Sequence, residues 1–146
     1  MKRIQVTDNF YLDELIDPVT YAARGERSLQ LMDMRIILAL QYLREVIGRP
    51  ITVNTWARRG NLSLRGYRPE GTRTGAKWSQ HKHGRALDFN VAGMTTQQVH
   101  DIIMQHERYF LERGWITTIE DARDSPTWIH IDCRYTGLDQ ILVVRA

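Results

Sequence analysis

Apolar residues recur at Leu29, Met32, Ile36, Leu40, Leu43 and Ile47, at spacings of three and four that lay a single stripe along a helix. Gly48 and Pro50 stop it. The period then shortens. Ile51 to Trp56 predicts a strand, and in Ala86-Leu87-Asp88-Phe89-Asn90-Val91 a strand sets Leu87, Phe89 and Val91 on one face and Asp88 on the other. Thr95-Thr96-Gln97-Gln98 has the form of a capping box and opens a helix through Val99, Ile102, Ile103, Tyr109 and Phe110 to Gly114. Trp115 to Glu120 and Thr127 to Tyr135 read as two strands joined by a polar turn. In the second, Ile129, Ile131 and Cys133 share one face, and Trp128, His130 and Asp132 share the other. Ile141 to Val144 reads as a short strand covering a sheet edge. The pattern predicts an α+β fold, a small antiparallel sheet with helices packed on it. Between the first strand and the Asp88 strand, residues 57 to 78 are Arg- and Gly-rich, too polar for a core and suited to carry function.

Length narrows the organisation. With 146 residues the chain reads as one domain, able to bury about two thirds of its unfolded surface without staples. Its one cysteine, Cys133, rules out an internal disulfide and lies on the apolar face of its strand, a core position. Met1 to Asp8 carries the charge of a secretion signal without an apolar run behind it, and no stretch approaches the roughly 18 apolar residues of a membrane span. The expectation is a protein made in the cytoplasm, with no membrane partner.

Two polar segments interrupt the apolar pattern with chemistry. Ser79-Gln80-His81-Lys82-His83-Gly84-Arg85-Ala86-Leu87-Asp88 is followed, after a long interval, by Trp128-Ile129-His130-Ile131-Asp132. If the Asp88 and His130 strands are neighbours with their apolar faces on one core, both side chains project into one space, and His81 can reach over from before Gly84. Two imidazoles and a carboxylate are the donor count of a catalytic zinc site that keeps a fourth position open. A lone histidine is more often a hydrogen-bonded or surface residue than a ligand. Asp88 and His130, however, are polar groups set into apolar strands, where burial without a partner is costly and a metal supplies the partner. His83 fits the spacing less well and reads as a supporting or exposed residue. His100 and His106, six apart on a helix, do not share a face and read as structural or solvent-facing.

The formal charge of +3 is unevenly spread. From Arg58 to Arg85 there are eight Lys or Arg residues against the single acid Glu70, a local +7 that leaves the rest of the chain at −4. Such a run can be a solvated loop or a nucleic-acid patch. Directly before the proposed metal site it suits an anionic substrate better, so no nucleic-acid partner is expected.

At these residues the chain resembles the zinc D-alanyl-D-alanine carboxypeptidases and phage-type L-alanyl-D-glutamate endopeptidases, whose fold is shared with the hedgehog signalling domain. Ser79, His81, Gly84, Ala86 and Asp88 match that family's Ser-x-His-x-x-Gly-x-Ala-x-Asp motif, and Trp128 with His130 match its later Trp-x-His strand. Gly66-Tyr67-Arg68-Pro69 and Thr74-Gly75-Ala76-Lys77 are similar to its Gly-Tyr-Arg segment and Gly-Gly-Ala-Lys turn. The resemblance covers about residues 29 to 135 and leaves 1–28 as an N-terminal extension. It implies a hedgehog/DD-peptidase-like fold and zinc held by His81, Asp88 and His130. It further implies a metallopeptidase cutting an amide in peptidoglycan stem peptides, whose free carboxylates suit the basic run. Arg68 would grip a substrate carboxylate, with Arg58 as competitor and Ser79 as a further substrate contact. Lacking a leader and a wall-binding domain, the chain is expected to act as a phage lysis or virion-associated hydrolase.

One position departs from the family pattern. Many members place an acid three residues before the last histidine ligand, where this chain has Thr127. A hairpin turning at Arg123 and Asp124 would set Thr127 opposite Glu120, which could then deliver the missing carboxylate as general base and acid. Asp124, six residues before His130, resembles the hedgehog spacing and is the rival; Asp121 comes third. The structural alternative for Glu120 is a pairing with a surface arginine. A second reading follows from Thr127, a non-catalytic, zinc-stabilised virion structural or binding module.

Overall fold

The computed structural model describes residues 2–145, and its core is built from both ends of the chain. Phe10, Leu12, Leu15 and Ile16 are buried in the same cluster as Ile36, Leu40, Leu87, Phe89, Ile103, Phe110 and Ile131. Residues 10–16 are therefore part of the domain's interior, not the appended extension expected from the sequence.

Among the described residues four α-helices and five strands follow in the order α1 (Pro18–Arg24), α2 (Met34–Ile47), β1 (Ile51–Thr52), β2 (Ala86–Val91), α3 (Thr96–Gln105), α4 (Glu107–Arg113), β3 (Thr118–Glu120), β4 (Ile129–Asp132) and β5 (Leu142–Val144). The sheet order is β1-β2-β4-β3-β5. The first three pairings are antiparallel, as expected, but β5 runs parallel to β3, so the sheet is mixed. β4 already ends beside the start of β3, where Asp132 pairs with Thr118, and the segment from Arg134 to Ile141 crosses that same end to the far edge of β3, so β5 begins level with Thr118 and runs in the direction of β3.

Local chemistry shortens several expected elements. The first stripe breaks at Asp33, whose side chain accepts from the Arg35 amide and starts α2 afresh; residues 25–31 before it form a 3-10 helix. The strand expected to run to Trp56 stops at Thr52, because the next polar residues turn to other partners. Asn54 N–H donates to Glu14 O at 3.0 Å and its side chain accepts from the Arg65 amide, so this segment anchors loops. The expected helix to Gly114 breaks at His106, which closes α3 with its amide and meets the Tyr42 hydroxyl through Nδ1 at 2.9 Å. The capping box at Thr95 and Gln98 is present. Among the described residues no helix is long and apolar enough to cross a membrane.

Candidate metal centre

The centre of the sheet is the β2–β4 ladder. Its register pairs Leu87 with Ile131, Asp88 with His130 and Phe89 with Ile129. Because side chains alternate along each strand, the apolar pairs enter the core and Asp88 and His130 emerge together on the opposite face.

His81 arrives from a 3-10 turn, Gln80–His83. Ser79 Oγ caps this turn by accepting from the His81 amide at 3.3 Å. Gly84 ends it in a left-handed conformation with φ of 66°, and a Cβ there would sit 1.8 Å from Leu31 O. Only glycine permits that approach, which lets Asp33 N–H donate to Gly84 O at 2.9 Å and pins the turn to the segment before α2. Gly66 plays a matching part, since a Cβ on it would lie 2.1 Å from Leu15 O. Its own carbonyl receives His81 Nδ1 at 2.8 Å.

Each imidazole therefore has a defined division of labour. His81 directs Nε2 to Asp88 Oδ1 at 3.2 Å and donates from Nδ1 to Gly66 O. His130 directs Nδ1 to the same Asp88 oxygen at 2.9 Å and donates from Nε2 to Asp132 Oδ2 at 2.9 Å. One ligand atom from each of His81, Asp88 and His130 lies within 4.8 Å of the others. The second ring nitrogens are held by fixed acceptors, the outer hydrogen bonds that set tautomer and orientation for metal-ligating histidines. The donor set is two nitrogens and one carboxylate oxygen, and it fits zinc.

Electrostatics point the same way. Burial alone would lower the His130 pKa, but the hydrogen bonds to Asp132 and Asp88 outweigh it and raise it to about 9. Burial would likewise raise Asp88, yet the hydrogen bonds from His130 and His81 hold it far below the usual carboxylate range. Asp132 is also lowered, by His130 and Arg134 against its burial. The site thus calls for positive charge at the point where the three donors converge, and a divalent cation supplies it while leaving both imidazoles neutral.

His81, Asp88, His130, Glu120, Arg68 and Trp78 line one cavity of about 560 Å³. Glu120 is nearer His130 than expected. The register pairs Thr118 with Asp132 and Ile119 with Ile131, which puts Glu120 level with His130, one step on, instead of opposite Thr127. The reason is the β3–β4 connection, which is not a tight hairpin: Asp121 folds it locally, accepting the Arg123 amide on its side chain and the Asp124 amide on its carbonyl. Ser125, fully buried, donates its hydroxyl to Glu120 Oε1. The rivals are turned elsewhere. Asp124 is paired with Arg145 and Asp121 with Arg123, and neither lines this cavity.

Arg68 is buried at 9 % exposure, with Nε donating to Leu64 O at 2.7 Å and Nη2 to Asp88 Oδ2 at 3.2 Å. Burial lowers its pKa against the pull of Asp88. Ser79 lines the cavity too, but its hydroxyl already caps the His81 turn. Arg58 is exposed on a 3-10 turn at Trp56–Arg58 and does not line the cavity, so the structure separates it from the site. His83 is exposed and Cys133 buried, as read from the sequence.

Sequence reasoning missed the roles of Asp132, Arg134 and Ser125. Arg134 closes on Asp132 through Nε and Nη2 at 2.8 and 2.6 Å, so the acceptor for His130 is itself fixed. The signal for Asp132 was present, since it alternates onto the His130 face. Ser125 had none, because only the folded connection brings it to Glu120.

Comparison with known proteins agrees with this geometry. A family model described as peptidase M15 matches residues 8–132, most of the chain and every side chain of the donor set. No curated protein and no solved structure matches.

Proposed function

The chain belongs to the peptidase M15 family, and on that premise we propose a zinc-dependent peptidase that hydrolyses an amide bond in peptidoglycan stem peptides. The observation carrying this reading is that His81 and His130 each turn one ring nitrogen to the same Asp88 oxygen while the other is held by a fixed acceptor. Such an arrangement serves a metal and has little use in a purely structural cluster. His81, Asp88 and His130 would hold the zinc, which when bound lowers the pKa of a water and polarises a carbonyl.

The chain's own groups do the rest. Glu120, level with His130 in the same cavity, accepts the proton of the attacking water and passes it to the leaving amine nitrogen. Ser125 holds one oxygen of that carboxylate and leaves the other for the proton. Arg68 steadies Asp88 with Nη2 and keeps Nη1 for a substrate carboxylate. Lys77, Arg134 and Arg145 on the cavity wall favour an anionic peptide. The proposed setting, which rests on the resemblance to phage-type endopeptidases, is a phage lysis or virion-associated wall hydrolase.

The test is incubation of the zinc-loaded protein with purified peptidoglycan, followed by mass spectrometry of new amine and carboxyl ends. A single new pair of ends names the bond. Intact stems in the presence of bound zinc would instead favour the non-catalytic module that Thr127 suggests.

A further inference from the structure

Where β4 ends at Asp132, a second cavity of about 360 Å³ opens, with Arg35, Arg85 and Arg134 on its walls. No carboxylate is among the residues that line it. Arg35 uses Nε and Nη2 on Asp33 at 3.0 and 2.7 Å. Arg134 uses the same two atoms on Asp132. Each acid thus occupies one edge of its own guanidinium, and each arginine retains Nη1 as a donor. Arg85 is exposed and, among the described residues, its guanidinium has no hydrogen bond or ion pair. The Cys133 thiol at this cavity is pushed up to about 12, chiefly by burial, so it is neutral and adds no opposing charge.

The charge balance is therefore two arginines each paired with its own acid and still offering hydrogens, beside Arg85, which has no hydrogen-bonded acid of its own and feels only the charge of Asp33 that Arg35 already holds. The geometry points to an oxyanion-binding site here, one that takes a carboxylate, sulfate or phosphate group on Arg85 with the spare Nη1 donors of Arg35 and Arg134. Guanidinium groups match such oxygens in planar, charge-assisted hydrogen bonds. Arg134 also lines the metal cavity, so the two cavities adjoin. The anion is either a small free one or the acid group of a peptide that reaches in from the metal cavity. The inference does not depend on the peptidase reading.

Amide NMR of the zinc-loaded protein at constant ionic strength tests it, with inorganic sulfate as one probe and a glutamate-containing tripeptide, blocked at both ends, as the other. Sulfate should shift the Gly114, Thr136 and Gly137 amides saturably. Arg85→Gln, a change at an exposed side chain, should weaken the apparent affinity at least about tenfold, whereas the exposed Arg108→Gln should not. Tripeptide shifts at both cavities would assign the anion to the peptide, and shifts at the arginine cavity alone would assign it to a separate small acid. Tripeptide shifts confined to the metal cavity beside saturable sulfate shifts would assign the anion to a small free one, whereas linear, unsaturated sulfate shifts or indifference to Arg85→Gln would overturn the site.

Discussion

His130 donates from Nε2 to Asp132 Oδ2 at 2.9 Å, and Arg134 grips both oxygens of the same carboxylate. Asp132 is fully buried, so this chain of three side chains fixes the imidazole from behind while Nδ1 faces Asp88. Loss of such an outer partner typically costs ten- to a hundredfold in metal affinity. Asp132→Asn keeps the size of the side chain and removes its charge. We expect zinc affinity to fall by about that factor in a chelator competition titration; an unchanged affinity would dismiss Asp132 as an orienting group.

The donor set itself predicts about one zinc per chain. His81→Ala and His130→Ala should each remove it, and His83→Ala should not, because His83 is exposed and is not part of the donor cluster. Elemental analysis of the purified variants decides. If His83→Ala loses the metal and His81→Ala keeps it, the wrong histidine has been chosen.

How much of this was legible beforehand follows from which interactions are local. The alternation in Ala86–Val91 and Ile129–Asp132 dictated a shared face for Asp88 and His130, and the ladder pairs those two residues directly. A register slip by one residue would have buried both, so the apolar pattern left little freedom. The direction of β5, the core role of Phe10 to Ile16, and the placement of Ser125 depend on contacts between distant segments. No period in the sequence encodes these. The β3–β4 register fell between the two cases: both strands were evident, but the turn length was set by Asp121 and Ser125 rather than by a tight hairpin.

Gly84 ties the site to the fold. With its φ of 66° and Leu31 O only 1.8 Å from a built Cβ, Gly84→Ala must displace either the His81 turn or the segment before α2. Misfit substitutions at left-handed positions cost more than the roughly 1 kcal/mol of a simple glycine effect, and a backbone clash adds to it. We expect a loss of about 3 kcal/mol or more by urea unfolding, with weaker zinc binding. A loss below about 1 kcal/mol would mean that the turn yields easily.

Arg68 contributes twice, through Asp88 and through its spare Nη1. Lysine cannot reproduce two directed edges at once. Arg68→Lys should lower kcat/KM by about tenfold or more on a stem peptide while about one zinc is retained, and Arg58→Gln should leave both unchanged because Arg58 lies outside the cavity. Equal sensitivity at the two positions would point to general electrostatic attraction instead of a specific contact.

Glu120 is the position on which the choice between enzyme and inert module turns. Thr127, where the pattern resembled in the sequence would place the acid, is exposed and has no proton to exchange near neutral pH. The β3–β4 register supplies a carboxylate from the neighbouring strand, level with His130, and Ser125 holds it from the protein side. Positioned general acid–base catalysis is typically worth 10²–10⁴-fold, so Glu120→Gln should lose about that factor in kcat with fold and zinc content intact. Ser125→Ala frees one oxygen without removing the carboxylate and should give a smaller loss, with the acidic limb of the pH–rate profile displaced. Asp121→Asn breaks a pair with Arg123 outside the cavity and Asp124→Asn a pair with Arg145 at its wall; neither removes a carboxylate that lines the cavity, so both should leave the rate nearly unchanged. The decisive comparison is stem-peptide cleavage by Glu120→Gln and Asp124→Asn side by side. If the Asp124 variant is dead and the Glu120 variant active, the proton is carried from the turn rather than the strand, as the hedgehog-like spacing would have it.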